Sequence, residues 1–358
     1  MTRNVTRNQG LIAKNGSYMD RSPSYLVLLL TTDCNLRCAY CYRGDQRHVR
    51  SMPQDVAERS LQHIASSGHG FHVQMTGGEP TLEPVLIEWI ASLIRKKGWP
   101  ATIGLQTNGS LLDRSLVRIC KHYDIQVGVS LDGPPGVQES LRGETASTLR
   151  GLKLLCNQGM AFRVTTVVTD QTVHTMRQLA LLLGGFPTAR GLGLDLLVAK
   201  GRALDGDIVK HPSPEALVKG LKLLLQTLNW VNEKRSCLIK LRELELLKKA
   251  VTGKVHTSFC YAAKGKAMAV CPDGSVYPCA QTVEEPCFAC GTIDTLDSSG
   301  LDLLKKYRLQ NEECRVCPLV GFCPGDCPSR LYYNDDQTRK LACIMYQTLW
   351  KRYRRRQE

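Results

Sequence analysis

Thr31-Thr32-Asp33-Cys34-Asn35-Leu36-Arg37-Cys38-Ala39-Tyr40-Cys41-Tyr42-Arg43-Gly44 sets three cysteines at a C-x3-C-x2-C spacing, with an aromatic directly before the third. Iron–sulfur clusters are held by cysteine thiolates, normally four for a four-iron cluster. Three thiolates on one short loop hold three irons and leave the fourth without a protein ligand. An iron with an open position takes a small molecule, as an open zinc site does. The duller readings are three unrelated core cysteines or a zinc knuckle short of a ligand. Zinc sites usually pair a C-x2-C with a second pair, and no second such pair lies near here.

Outward from this loop the chain alternates strand and helix. Apolar runs predict strands at Tyr25–Leu30, His72–Thr76, Thr102–Gln106, Ile125–Leu131, Phe162–Thr169 and Leu192–Val198. Helical spacing predicts helices at Gln54–Ser66, Val85–Lys96, Ser115–Lys121, Ala146–Gln158 and Val173–Leu183. Near-continuous Val/Ile/Leu strands between helices imply a parallel α/β sheet covered on one or both faces. Periodicity alone leaves an open barrel and a doubly wound sheet both standing. Residues 213–252 read as further helix, opening at Ser213-Pro214-Glu215 with proline at the first helical position. The expected organisation is a lead-in at 1–23, a core at 24–253, a cysteine-rich domain at 254–345 and a basic tail at 346–358.

In parallel β/α architectures the functional loops follow the C-terminal ends of strands. The cysteine loop follows the first strand. The second strand runs into Gly77-Gly78-Glu79-Pro80, the third into Gln106-Thr107-Asn108-Gly109, and the fourth into Ser130-Leu131-Asp132-Gly133-Pro134 with Arg142 beyond. Together with the cysteine loop these segments resemble the radical S-adenosylmethionine (SAM) superfamily, and in particular the anaerobic sulfatase-maturating enzymes and their relatives. The resemblance implies a partial (β/α)6 TIM-like barrel, with the cluster's bare iron chelating the amino and carboxylate groups of SAM. It implies that Gly77 and Gly78 let backbone approach the ligand, that Glu79 beside Pro80 meets its ammonium, and that Asn108 lies in the same cofactor site. Ser130 and Arg142 would hold its carboxylate, for which a guanidinium fork is suited. Tyr40 would pack near the adenine. Asp132 belongs to the same site or shapes the turn. Relatives usually carry a histidine between the Pro and the Arg, where Gln138-Glu139 stand here.

Ten of the sixteen cysteines fall in residues 260–343. Cys260, Gly274 and Cys279, then Cys314-x2-Cys317-x5-Cys323-x3-Cys327 and Cys343, reproduce the seven-cysteine pattern of the SPASM extension, which in relatives holds two auxiliary 4Fe-4S clusters. By that resemblance Cys314, Cys317, Cys323 and Cys343 bind the second auxiliary cluster, and Cys260, Cys279 and Cys327 the first. The first cluster's fourth ligand stays open among Cys271, Cys287, Cys290 or no protein ligand. Structural zinc is the rival for this region. Cys120, Cys156 and Cys237 lie in helical patterns and read as small packing residues.

The formal charge is +14, and the last eight residues supply +4 of it. No aromatic-interleaved basic stretch accompanies the charge, so nucleic acid is not the expected partner. No apolar run reaches membrane length, and the polar first residues do not resemble a secretory signal. A cytoplasmic setting, where many cysteines mean metal ligands rather than disulfides, is the expectation. The leading functional expectation is a radical SAM maturase that oxidatively modifies or crosslinks a ribosomal peptide side chain. Three 4Fe-4S clusters, SAM, a peptide substrate, an electron donor such as flavodoxin or ferredoxin, and a separate leader-peptide-binding protein go with it. The alternatives are a formylglycine-forming sulfatase maturase, a small-molecule radical SAM dehydrogenase, and a non-catalytic iron–sulfur or zinc protein. Sulfatase maturases carry an acid directly after the Pro-Cys of the SPASM segment; here Pro278-Cys279 is followed by Ala280 and Gln281.

Overall fold

Tyr25–Leu29 forms β1, and in the computed structural model, which describes residues 22–45, 48–206, 208–254, 258–308 and 312–354, it lies inside a single sheet. The strands are β2 (Phe71–Thr76), β3 (Ala101–Thr107), β4 (Ile125–Ser130), β5 (Phe162–Val168), β6 (Ala189–Leu196), β7 (Lys240–Leu241), β8 (Ala267–Val270) and β9 (Val276–Tyr277). Their order is β7-β6-β5-β4-β3-β2-β1-β8-β9, parallel throughout except for the β8–β9 pair. A doubly wound sheet reverses its order at a switch point. β1 to β6 instead neighbour one another in sequence order, the arrangement of an open (β/α)6 barrel.

The connecting helices are α1 (Gln54–Ala65), α2 (Pro84–Lys96), α3 (Arg114–His122), α4 (Pro135–Leu141), α5 (Thr145–Asn157) and α6 (Met176–Gly184). Their apolar stripes meet Leu26, Leu28, Val73, Met75, Ile103, Leu105, Val127, Val129, Val164, Leu192 and Leu194 in one core. Each such side chain contributes about 1.5–3 kcal/mol by leaving water. The other face of the strands is polar, so the sheet is covered by helices on one face. β2 reads Phe-His-Val-Gln-Met-Thr with alternate residues buried, and β4 and β5 alternate likewise. Strands covered on both faces would be apolar throughout; here the inner face lines a polar lumen.

The span expected as one helix at 213–252 is two, α7 (Pro214–Glu233) and α8 (Arg242–Gly253). Ser213 Oγ caps α7 by accepting from Ala216 N at 3.1 Å. The break is made by Arg235, whose guanidinium donates to the carbonyls of Gly184, Phe186, Pro187 and Ala189, and by Asn232, which exchanges two hydrogen bonds with Ile239. Cys237 therefore sits in this connection and not in a helix. Beyond residue 253 the chain returns to the barrel. β8 pairs with β1; of the last helices, α9 (Pro328–Tyr333) follows Cys327 and α10 (Asp336–Arg354) carries Cys343. Residues 346–354, expected as tail, are the second half of α10, which packs on α7 and α8. The expected lead-in lies outside the described residues up to residue 21. Among the described residues no helix is long and apolar enough to cross a membrane.

Candidate functional site

The cysteine loop after β1 is clamped by the ends of four other strands. Gly78 N donates to Thr31 O and Glu79 N to Asp33 O, both at 2.7 Å. A Cβ on Gly77 would stand 2.4 Å from Thr31 O, and one on Gly78 only 1.9 Å from Asp33 O. The close approach these glycines permit is made to the cysteine loop's own backbone. Glu79, 1% exposed, accepts at Oε1 from Thr81 N, Thr81 Oγ1 and Thr107 Oγ1, and at Oε2 from Asn108 N at 2.7 Å. Burial pushes its carboxyl up while these donors hold it down. Pro80 opens the short 3-10 turn Pro80–Leu82 behind it.

Asn108 reaches the loop from β3. Its Nδ2 donates to Asn35 Oδ1 at 2.9 Å, Asn35 Nδ2 donates to Ser110 Oγ, and Ser110 Oγ donates back to Asn108 Oδ1. From β4 comes Asp132, whose Oδ1 accepts from Val167 N at 2.9 Å and whose Oδ2 accepts from the Tyr40 hydroxyl. Arg142 Nη1 donates to that same hydroxyl at 2.6 Å and stands 3.7 Å from Asp132 Oδ2. Ser130 Oγ accepts from Gln106 Nε2 at 3.1 Å, so it lies beside the lumen.

The fourth clamp was not legible in the sequence. Arg202, after β6, donates through Nε to Cys38 O and through Nη1 to Gly44 O and Asp45 Oδ1, at 2.7–2.9 Å. Gly201 has φ +59°, and a Cβ there would fall 2.4 Å from Cys41 O. The one available signal was a Gly-Arg pair just beyond a barrel strand, on the face where functional loops gather. The Cys34, Cys38 and Cys41 thiols lie within electrostatic reach of one another. Burial pushes Cys34 up to about 11; burial also raises Cys38, which Arg142 and Arg202 partly oppose.

Cys314, Cys317, Cys323 and Cys343 line one cavity of about 290 Å³, beside Asp326, Tyr346 and Gln347. Burial and the three other thiols push Cys343 up to about 12. Cys260, Cys279 and Cys327 form a second group, each pair close enough to interact, where burial pushes Cys260 to about 12 and Cys279 further. Cys327 Sγ contacts Ser329 Oγ at 2.9 Å and Gln281 Oε1 at 3.6 Å. The three spare cysteines are engaged elsewhere. Cys271 packs with Val27, Leu29 and Ala269, Cys287 meets the Tyr332 hydroxyl at 3.5 Å, and Cys290 donates to Phe288 O. Lys200, also missed by sequence reading, ties the end of β6 to this region by donating to Gln281 O and Val283 O. Among the described residues no three His, Cys, Asp or Glu side chains converge as a single metal ion requires.

Inside the barrel lies the lumen, a cavity of about 290 Å³ lined by Tyr25, His72, Gln74, Gln106, Arg163 and Arg242 among others. Its long side chains lie over glycines of neighbouring strands: Gln74 over Gly104, Gln106 over Gly128, Arg163 over Gly191 and Arg242 over Gly193. Tyr25 closes the end nearest Cys260 and Cys279, stacked between His72 and Tyr261.

Residues 28–183 match the family model of the Radical SAM superfamily. The chain carries a radical SAM domain. The radical SAM domain makes it an enzyme, not a structural iron–sulfur or zinc protein. Over 93% of its length the chain is 26% identical to the antilisterial bacteriocin subtilosin biosynthesis protein AlbA of Bacillus subtilis, covering 73% of that protein. Over 85% it is 26% identical to a cysteine-type anaerobic sulfatase-maturating enzyme of Clostridium perfringens, covering 88% of it. The fold matches native anSMEcpe with bound AdoMet at a TM-score of 0.73, with 23% identity and 93% and 97% of the two chains covered. It matches Streptococcus suis SuiB bound to precursor peptide SuiA at 0.65, with 17% identity and 89% and 74% covered. A radical SAM domain implies a 4Fe-4S cluster. The all-sulfur donor set of Cys34, Cys38 and Cys41, with the cations of Arg142 and Arg202 acting on the buried Cys38, fits one.

Proposed function

We propose that this protein is a radical SAM maturase that oxidatively modifies or crosslinks a side chain of a ribosomally made peptide. One observation carries the reading: a polar lumen, bounded by Tyr25 beside Cys260 and Cys279, lies inside the barrel whose strand ends clamp the Cys34/Cys38/Cys41 loop. Cys34, Cys38 and Cys41 would hold a 4Fe-4S cluster at which SAM would bind, and the pair would supply the chemistry of hydrogen-atom abstraction from the substrate. Every other task belongs to this chain. Gly77, Gly78, Glu79 and Pro80 fix the loop against β2, and Asn108 fixes it against β3. Tyr40, Asp132 and Arg142 close the side toward β4, with Ser130 at the lumen wall. Gln74 and Gln106 each offer donors and acceptors to a peptide backbone. The lumen walls orient the substrate and exclude water.

Two auxiliary 4Fe-4S clusters, one at Cys314, Cys317, Cys323 and Cys343 and one at Cys260, Cys279 and Cys327, complete the reading. The first of these sets shares one cavity, and the second is an all-sulfur group beside the lumen. The partners are a low-potential electron donor such as flavodoxin or ferredoxin and a separate leader-peptide-binding protein. The AlbA relative and the SuiA-bound SuiB structure favour a peptide substrate. The sulfatase-maturating relative favours formylglycine formation, against which Ala280 supplies no acid after Cys279.

The test uses protein reconstituted with iron and sulfide without oxygen, then reduced with SAM and a candidate precursor peptide. The expected products are 5′-deoxyadenosine and a peptide lighter by two hydrogens per modified site. An aldehyde at a peptide cysteine or serine would replace this reading with the sulfatase one. No 5′-deoxyadenosine from iron-loaded protein would end both.

A further inference from the structure

A cavity of about 510 Å³ forms a surface groove between α7 and α10 lined by Val218, Lys222, Gln226, Ile344, Gln347, Thr348, Lys351 and Arg352. Three of these eight residues are cations and none is an anion. The groove shares Gln347 with the four-cysteine cavity, and Gln347 Nε2 stands 3.8 Å from Cys317 Sγ. Only one side chain therefore separates the basic surface from the group of sulfurs nearest to it. The Nε of Arg352 is buried and has no hydrogen-bond partner among the described residues.

We infer that this α7/α10 groove is the docking surface for an acidic one-electron carrier protein, which passes its electron through the wall at Gln347 to a cluster held by Cys314, Cys317, Cys323 and Cys343. The inference rests on the proposed auxiliary cluster at those cysteines. The carrier loses one electron and the cluster gains it; no atom and no proton crosses. An apolar floor of Val218 and Ile344 with a charged rim matches the anatomy of a protein interface. A rim of one sign steers an oppositely charged partner and sets the salt dependence of its association. Single-stranded nucleic acid is the less suited polyanion, because no aromatic side chain lines the groove for a base to stack on.

The test uses the full reconstituted protein and, as probe, a reduced acidic flavodoxin mixed in a stopped-flow cell without oxygen. Cluster bleaching is followed for wild type, the Lys222→Glu/Lys351→Glu variant and the same variant with Arg352→Glu. Iron content and bleaching by dithionite are measured beside it. The expected result is flavodoxin-driven reduction that slows as salt rises and is slower by on the order of tenfold in both variants at low salt. Iron content and dithionite reduction stay at the wild-type level. Variants reduced by flavodoxin as fast as wild type overturn the assignment, as does an equal slowing with dithionite. So does a groove that an RNA oligonucleotide occupies in preference to flavodoxin. Iron content left unchanged by Cys343→Ala would show that no cluster is held there, and so refutes the auxiliary-cluster reading separately from the docking surface.

Discussion

Arg142 Nη1 donates to the Tyr40 hydroxyl at 2.6 Å, across 102 residues of sequence, and Asp132 accepts from the same hydroxyl. The aromatic that precedes the third cysteine is thereby pinned to the end of β4 and to the turn after α4. Asp132 is fully buried and Arg142 nearly so, with side chains 0% and 11% exposed. Arg142→Ala leaves a buried carboxylate without its cation and is expected to cost about 3–5 kcal/mol. Thermal unfolding of wild type, Arg142→Ala and Arg142→Lys checks this. The lysine variant should recover part of the loss, and an alanine variant as stable as wild type would contradict the network.

Gly78→Ala should empty the first site while leaving the others. Its Cβ would lie 1.9 Å from Asp33 O, so the backbone that carries Cys34 has to move. Gly136→Ala is the control, since nothing lies within 4 Å of its Cβ and α4 accommodates alanine. Iron analysis should show the first variant short by about four irons, the content of one cluster, and the second unchanged.

Arg202→Ala removes three side-chain bonds that hold the carbonyls of Cys38 and Gly44 and the Asp45 carboxylate. The expected effect is kinetic: iron from the Cys34 site is lost to a chelator at least several-fold faster, with the C-terminal irons retained. Arg202→Lys keeps the charge and loses the fork, so it should resemble alanine more than wild type. Equal loss from every site would show a general loosening instead.

Cys34 supplies a pH test on metal-free protein. Its thiol is pushed up to about 11, chiefly by burial, against an ordinary value of about 8.5. Only about one part in a thousand is thiolate at pH 8. Alkylation of Cys34 by iodoacetamide, read by peptide mass spectrometry, should still be accelerating at pH 10. The folded state holds this proton more tightly than the unfolded one. Its contribution to stability is therefore complete below about pH 8.5 and is lost as the pH rises toward 11. A reactivity plateau near pH 9 would refute the assigned burial.

The sequence by itself determined the parts of this protein that neighbouring residues specify. The three-cysteine loop, the Gly-Gly-Glu-Pro turn and the alternation of strands and helices are written in short stretches. Spacing and periodicity along the chain encode them, and the structure finds the barrel strands and helices within a few residues of where that periodicity puts them. Only the tertiary structure decided what those pieces face. Arg202 reaches Cys38 across 164 residues, and β8 joins the barrel sheet beside β1 instead of staying in a separate unit. Arg235 cuts one apparent helix into α7 and α8 by capturing carbonyls from the segment after α6. The polar inner face of the strands becomes a lumen because the sheet curves. Gln347 comes to separate a basic groove from four cysteines because α10 packs against α7. Contacts of this kind are set by chain closure and packing over long separations, and no local spacing records them.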